Sequence, residues 1–312
     1  MRDLRAIAAA PCARGRWSRL VDDRRWLGRI LLAPTLVYVF GLVGLPFTLS
    51  VIYSVTSVTV ARVDFGFQGF EHYRAILERP AFWTALKNTF AYAIVAQLVV
   101  IVMANVLALA LMKNFRGKWL VRLLILMPFV APISLGSLGW LWIFDSTYSV
   151  LNWTLRAAGA IGPAESVYWL GEPTLAKASI IVVNVWRTLP LATVILLAGL
   201  GSIPQDIHDS AQIDGARFWR HHFQITLPLI TPILAVSTLF GTVLTFTDMV
   251  VIFVLTRGGP FDSTHGLASL AYYTGIEAGD LAEGAAISLF LFPLLLVVAV
   301  FMLRLARRSE VL

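Results

Sequence analysis

Six long stretches of this sequence are almost empty of charge, and they constrain the fold more than any other feature. A helix that crosses the hydrocarbon core of a bilayer needs about 20 mostly apolar residues. Stretches of that kind have their cores near residues 30–54, 88–112, 123–144, 178–200, 233–255 and 285–303, and only Arg187 and Asp248 interrupt them. Composition agrees. The chain is 58% hydrophobic and 14% charged, against about 45–50% and about 25% for an ordinary soluble domain. The sequence therefore reads as an all-α, polytopic membrane protein with six transmembrane helices.

The basic residues give the orientation, because short cytoplasmic loops are enriched in Lys and Arg. Arg2, Arg5, Arg14, Arg16, Arg19, Arg24, Arg25 and Arg29 precede the first stretch. Lys113, Arg116, Lys118 and Arg122 follow the second, Arg217 and Arg220 follow the fourth, and Arg304, Arg307 and Arg308 follow the sixth. The opposite side holds Arg62, Arg74, Arg79, Lys87, Arg156, Lys177 and Arg257. The richer side is cytoplasmic, so both termini are expected inside. The net charge of +7 is thus mainly a topology signal, and no nucleic-acid partner is expected. Cys12 is the single cysteine, which rules out an intrachain disulfide. The organisation expected is a flexible basic cytoplasmic tail over 1–25, a six-span domain over 26–308 and a short tail over 309–312. Pro34, Pro46, Pro128, Pro132, Pro190 and Pro293 fall inside the spans. They serve either as ordinary kinks or as bends around a solute path.

The most informative loop is cytoplasmic and runs between spans four and five, over 201–228. Ser202 with Gln205 three residues later predicts a capping box, with Pro204 in the first turn. Ile207 and Ala211 share a helical face, and Asp214-Gly215 is a turn signal. Phe218 with His222 and Trp219 with Phe223 stand at i, i+4 spacing on a second helix, which returns to the membrane at Leu227-Pro228. The expectation is a compact helix–turn–helix suited to docking.

This loop resembles the cytoplasmic signature of binding-protein-dependent ABC importer permeases: Glu-Ala-Ala, two variable residues, Asp-Gly-Ala, then a later Leu-Pro. Asp209-Ser210-Ala211 stands in place of Glu-Ala-Ala, while Asp214-Gly215-Ala216 and Leu227-Pro228 match. The departures, Asp for Glu and Ser for Ala, keep charge or size. Gln68 to Tyr73, Phe82-Trp83 through Asn88-Thr89, Trp186-Arg187, Ala198-Gly199-Leu200, Ile203-Pro204 and Leu255 to Pro260 are similar to the carbohydrate-uptake branch, the maltose, trehalose and glycerol-phosphate permeases. The resemblance covers about residues 26–308.

It implies a type I ABC importer permease fold in a prokaryotic inner membrane. It also implies a set of partners: a second, different permease subunit, two cytoplasmic ATP-binding subunits and an external solute-binding protein. The solute expected is a sugar or sugar derivative. Asp209, Ser210, Ala211, Asp214, Gly215, Ala216 and Phe218 are the implied coupling residues. No Gly-x-x-x-x-Gly-Lys-Ser/Thr loop occurs in the chain. ATP and Mg²⁺ are therefore expected on the partner ATPase, with no cofactor and no enzymatic step on this chain.

Charges at membrane depth are costly, so Arg187 and Asp248 are candidates for function. They lie about 12–14 Å from the same face at 1.5 Å per residue. Either they form a structural ion pair, or Asp248 faces the cavity and bonds sugar hydroxyls. Thr238, Gly241, Thr242, Thr245 and Asp248 recur at helical spacing as a polar stripe. They line the solute path or serve helix packing. Trp140, Trp142, Trp153 and Trp169 are read as an interfacial belt, with sugar stacking the alternative. His208, His221 and His222 lack metal-ligand spacing. The rival readings are a secondary transporter of a small polar solute, which would use ion-binding carboxylates and inverted repeats, and a membrane enzyme, which would need clustered catalytic residues.

Overall fold

The computed structural model describes residues 24–309. Residues 1–23, with most of the expected basic tail and Cys12, and residues 310–312 lie outside them. The chain divides into two compact units, Met1–Ile52 and Tyr53–Leu312. The first span, Trp26–Tyr53, is 28 residues long. A π-helical turn at Phe40–Gly44 interrupts it and Pro34 lies inside it. Thr48 and Ser50 donate their hydroxyls to the carbonyls of Gly44 and Pro46, at 2.8 and 3.0 Å. That is how hydroxyl residues are accommodated in a lipid-solvated helix.

In the second unit, span two is Pro80–Met112 and span four is Pro173–Gly201. Both begin with proline at the first helical position, where its missing N–H costs nothing. Glu172 precedes span four and accepts hydrogen bonds from the N–H groups of Thr174 and Leu175, at 3.1 and 2.8 Å. Those bonds hold its carboxyl below the ordinary glutamate range. The buried face of span two is a stripe of small residues: Ala96, Val100, Ala104 and Ala108. It packs against Val185, Ala192, Leu196 and Leu200 of span four. Small side chains allow close backbone approach where lipid supplies no hydrophobic drive between helices.

Span three is not the continuous helix expected over 123–144. It is two helices, Lys118–Val130 and Ile133–Ile143, bent by 99°. Pro132 explains the break: it donates no N–H and drives the residue before it out of the helical region. Ala131 accordingly sits at ψ 138°. Span five departs in a similar way. Its main helix is Thr231–Phe246, followed by an interruption at 247–249 and a short helix Val250–Leu255. It is preceded by Phe218–Leu229 at an angle of 69°. Four helices are long and apolar enough to cross a membrane, and with each of the two bent pairs taken as one span the number is up to six, by length and composition.

Span six, Leu281–Arg307, packs against span five and against a short helix, Leu267–Tyr272, with its π-helical continuation Tyr273–Glu277. Arg79 at the start of span two pairs with Glu283 at the start of span six. Where the π-helical turn crosses span six, glycine faces glycine. A Cβ added to Gly284 would stand 2.4 Å from Gly275 Cα and 2.8 Å from the Ala271 carbonyl oxygen. These are backbone atoms that cannot rotate away. Gly284→Ala is therefore expected to destabilise the folded chain by about 1–3 kcal/mol, read as a lower melting temperature in detergent. An unchanged melting temperature would show that the crossing can open.

Candidate functional site: the hairpin between spans four and five and the charged pair at the break in span five

The last turn of span four ends at Gly201. Ser202 donates its hydroxyl back to the Gly199 carbonyl at 2.8 Å, so the expected capping box with Gln205 does not form. The reason is conformational. Ser202 is in the right-handed helical region (φ −85°, ψ −11°), still part of the preceding helix, and its hydroxyl serves one of that helix's unpaired carbonyls. Pro204 is the residue that precedes the next helix, Gln205–Ile213, and it offers no side-chain cap. Gln205 instead donates Nε2 to Asp209 Oδ1, at 3.0 Å.

The turn after that helix forms as the Asp-Gly pair predicts. The Gly215 N–H bonds the Gln212 carbonyl at 3.0 Å and the Ala216 N–H bonds the Ala211 carbonyl at 2.9 Å. This pair of bonds is the Schellman arrangement, which requires a left-handed residue. Gly215 supplies it at φ 70°. The chain then forms Phe218–His221, a π-helical turn His222–Thr226 and Leu227–Leu229. Both aromatic pairs form: Phe218 stacks on His222 with centroids 6.3 Å apart, and Trp219 on Phe223 at 5.8 Å.

Side chains tie the hairpin together. His208 Nδ1 and His221 Nε2 are 3.0 Å apart, joining the two helices. Asn105 of span two donates Nδ2 to His222 Nε2 at 2.9 Å. Ala211 is buried, Ala216 is half-buried, and Asp209, Ser210, Asp214, Gly215 and Phe218 are exposed. All seven residues named from the sequence thus lie on one hairpin. The structure adds three more. Ile213 is 86% exposed, Trp219 69% and Phe223 54%, beside Phe218 at 59%. These four large apolar side chains on one loop make it a candidate interaction surface. The i, i+4 aromatic spacing was visible in the sequence, but its exposure was not.

The intramembrane charges meet. Arg187 Nη1 lies 3.5 Å from Asp248 Oδ1, with the Asp248 side chain buried and that of Arg187 about a quarter exposed. Asp248 sits in the interruption of span five. Its Oδ1 also accepts the N–H groups of Val250 and Val251, at 3.1 and 3.2 Å. It therefore starts the short helix that follows as well as pairing across to span four.

Thr242 and Thr245 of the stripe are buried and Thr238 is half-buried. Thr238 and Thr245 donate to the carbonyls of Leu234 and Gly241, at 2.8 and 2.9 Å. Gly241 admits the Gln97 side chain of span two, whose amide would lie 2.3 Å from a Cβ there. Of the tryptophans, Trp140 stacks on Phe144 at 5.4 Å and Trp169 donates to Asn152 Oδ1 at 3.0 Å. Trp142 and Trp153 are exposed.

Residues 100–311 match the family described as binding-protein-dependent transport system inner membrane component. The chain belongs to this family. It is similar along nearly its whole length to named permeases. The sulfoquinovosyl glycerol transport system permease protein SmoG of Agrobacterium fabrum is 32% identical over 301 residues, 95% of each chain. The trehalose/maltose transport system permease protein MalF of Thermococcus litoralis is 32% identical over 296 residues, 93% of this chain and 97% of that one.

The fold is similar to that of a chain of a bacterial alginate ABC transporter solved with its alginate pentasaccharide-bound periplasmic protein. The TM-score is 0.79 at 22% identity, over 94% of this chain and 97% of that one. The chain is accordingly a multi-pass inner-membrane permease subunit of an ABC importer, one component of a binding-protein-dependent system. It is a transport subunit, not an enzyme, and the secondary-transporter reading falls away.

Proposed function

We propose that this permease forms half of the translocation path for a sugar or sugar derivative delivered by an external solute-binding protein. One of two ATP-binding subunits docks on its cytoplasmic hairpin, and a second, different permease forms the other half of the path. The observation that carries this is the hairpin itself, a rigid pair of helices presenting four exposed apolar side chains. The names of the relatives, for sulfoquinovosyl glycerol and for trehalose/maltose, support a glycosidic solute. ATP and Mg²⁺ belong to the ATP-binding subunits. The excess of basic residues on one side supports cytoplasmic termini.

In this reading Asp209, Ser210, Ala211, Asp214, Gly215, Ala216 and Phe218 form the coupling element, joined by Ile213, Trp219 and Phe223. The hairpin moves as a unit because the Schellman turn and the His208–His221 contact brace it. The π-helical turn after it leads through Leu227–Leu229 into span five, so a push on the hairpin bears on the interrupted span. Irregular backbone at membrane depth is tolerated where it is buried in protein or lines a cavity, and broken helices in transporters commonly bind solute. The solute path is therefore assigned to the interruption at 247–249 with Arg187, Thr238, Gly241, Thr242, Thr245 and Asp248 nearby.

Two experiments test this. Affinity purification from native membranes in mild detergent, with mass spectrometry, is expected to recover a second six-span permease and an ATP-binding subunit with a phosphate loop. Recovery of this chain alone, under conditions that preserve a known ABC complex, would overturn the assembly. Separately, Gly215→Val places a β-branched residue at a left-handed position, which costs about 1–2 kcal/mol. It is expected to lower solute-stimulated ATP hydrolysis with the amount of chain in the membrane unchanged. Wild-type stimulation in this variant would remove the turn from the coupling element.

A further inference from the structure

The loop between spans two and three carries Lys113, Arg116, Lys118 and Arg122 with no acidic residue between 113 and 122. Among the described residues none of these four cations is held in an ion pair. Below the loop lies a cavity of about 190 Å³ lined by Arg122, by Thr193 and by the apolar side chains of Leu111, Ile125, Leu126, Val194 and Leu197. Three helix ends meet there: the last turn of span two, the start of span three and the final turns of span four. Leu197 is four residues from the end of its helix, about 6 Å at 1.5 Å per residue, so the cavity sits at the basic end of the bundle. Trp119, beside the cations, is exposed, as suits a side chain at the headgroup level.

We propose that this cavity is a binding site for an anionic phospholipid, with the phosphate held by Arg122 and the neighbouring loop cations and one acyl chain in the apolar groove. Charge and shape select the occupant. A zwitterionic lipid would fill the groove but leave the cationic mouth without a net counter-charge, and a soluble anion would leave the groove empty. Basic pockets between helices at the cytoplasmic end of spans are the general setting for anionic headgroups. The inference rests on the membrane placement of the chain and is independent of the solute or the coupling hairpin.

The test uses the assembled transporter purified with its partners, depleted of loose lipid and titrated with phosphatidylglycerol or phosphatidylcholine under native mass spectrometry. The wild type is expected to hold one phosphatidylglycerol per copy of this chain in preference to phosphatidylcholine. Arg122→Ala is expected to weaken that preference about fivefold, the effect of one cation near an anionic headgroup. Val194→Trp, at an exposed position on the groove wall, is expected to reduce retention of both lipids by filling the groove. Equal binding of the two lipids to the wild type, a preference unchanged in Arg122→Ala, or retention unchanged in Val194→Trp would each overturn the proposal. So would photo-cross-linking to the second permease of a benzophenone attached at Val194→Cys, which would show that protein covers the groove.

Discussion

Replacing Trp219 and Phe223 together by alanine is expected to abolish solute-stimulated ATP hydrolysis, a loss of tenfold or more, while the chain inserts in the membrane at its normal level. The two rings stack on each other at 5.8 Å and both are exposed, so truncating them removes little packing within the chain. What they would lose is contact with a docked subunit. Aromatic anchors at the centre of an interface typically cost about 2 kcal/mol or more when truncated, and 1.4 kcal/mol is already a factor of ten. The measurement is ATP hydrolysis by the reconstituted transporter with and without solute-loaded binding protein, alongside the amount of ATP-binding subunit that co-purifies. Trp142→Ala serves as the control, because Trp142 is equally exposed but lies on span three. If the double variant hydrolyses ATP and retains its partner like the wild type, the hairpin is not the docking surface.

Asp248→Leu is expected to destabilise the permease by about 3–5 kcal/mol, the usual cost of removing one partner of a buried ion pair. Two separate losses contribute. The Arg187 guanidinium loses its counter-charge at 3.5 Å, and the N–H groups of Val250 and Val251 lose their acceptor. Asp248→Asn separates them, since an amide oxygen still accepts from those N–H groups but carries no charge; it is expected to cost less. Combining Asp248→Leu with Arg187→Met is expected to recover the charge component and leave the unpaired N–H groups as the residual cost.

The reciprocal exchange, Arg187→Asp with Asp248→Arg, is expected not to restore stability, because arginine at position 248 can donate but not accept. Thermal unfolding in detergent reads all four variants. Full recovery by the exchange would mean that the pair is purely electrostatic and that the helix start at Val250 needs no side-chain acceptor.

The sequence alone determined the features whose signals lie within a few residues of one another. Charge-free runs long enough to cross a bilayer placed six spans. Asp214-Gly215 specified a left-handed turn, and the spacing of Phe218, Trp219, His222 and Phe223 specified the stacked pairs. These are legible because a helix repeats every 3.6 residues and a left-handed position selects glycine wherever it occurs.

Only the tertiary structure decided which of two possible neighbours each residue serves. Ser202 stands between two helices, and its hydroxyl went to the helix behind it. Pro132 announced a break, but the 99° bend depends on how both halves pack. The small residue at 241 was compatible with a solute-lined face or with close packing, and it proved to admit Gln97. That Arg187 reaches Asp248 across 61 residues of sequence follows from how spans four and five cross. A one-dimensional pattern records what each helix surface offers; which surfaces meet is set by long-range packing and by the high cost of leaving a charge or an N–H unpaired at membrane depth.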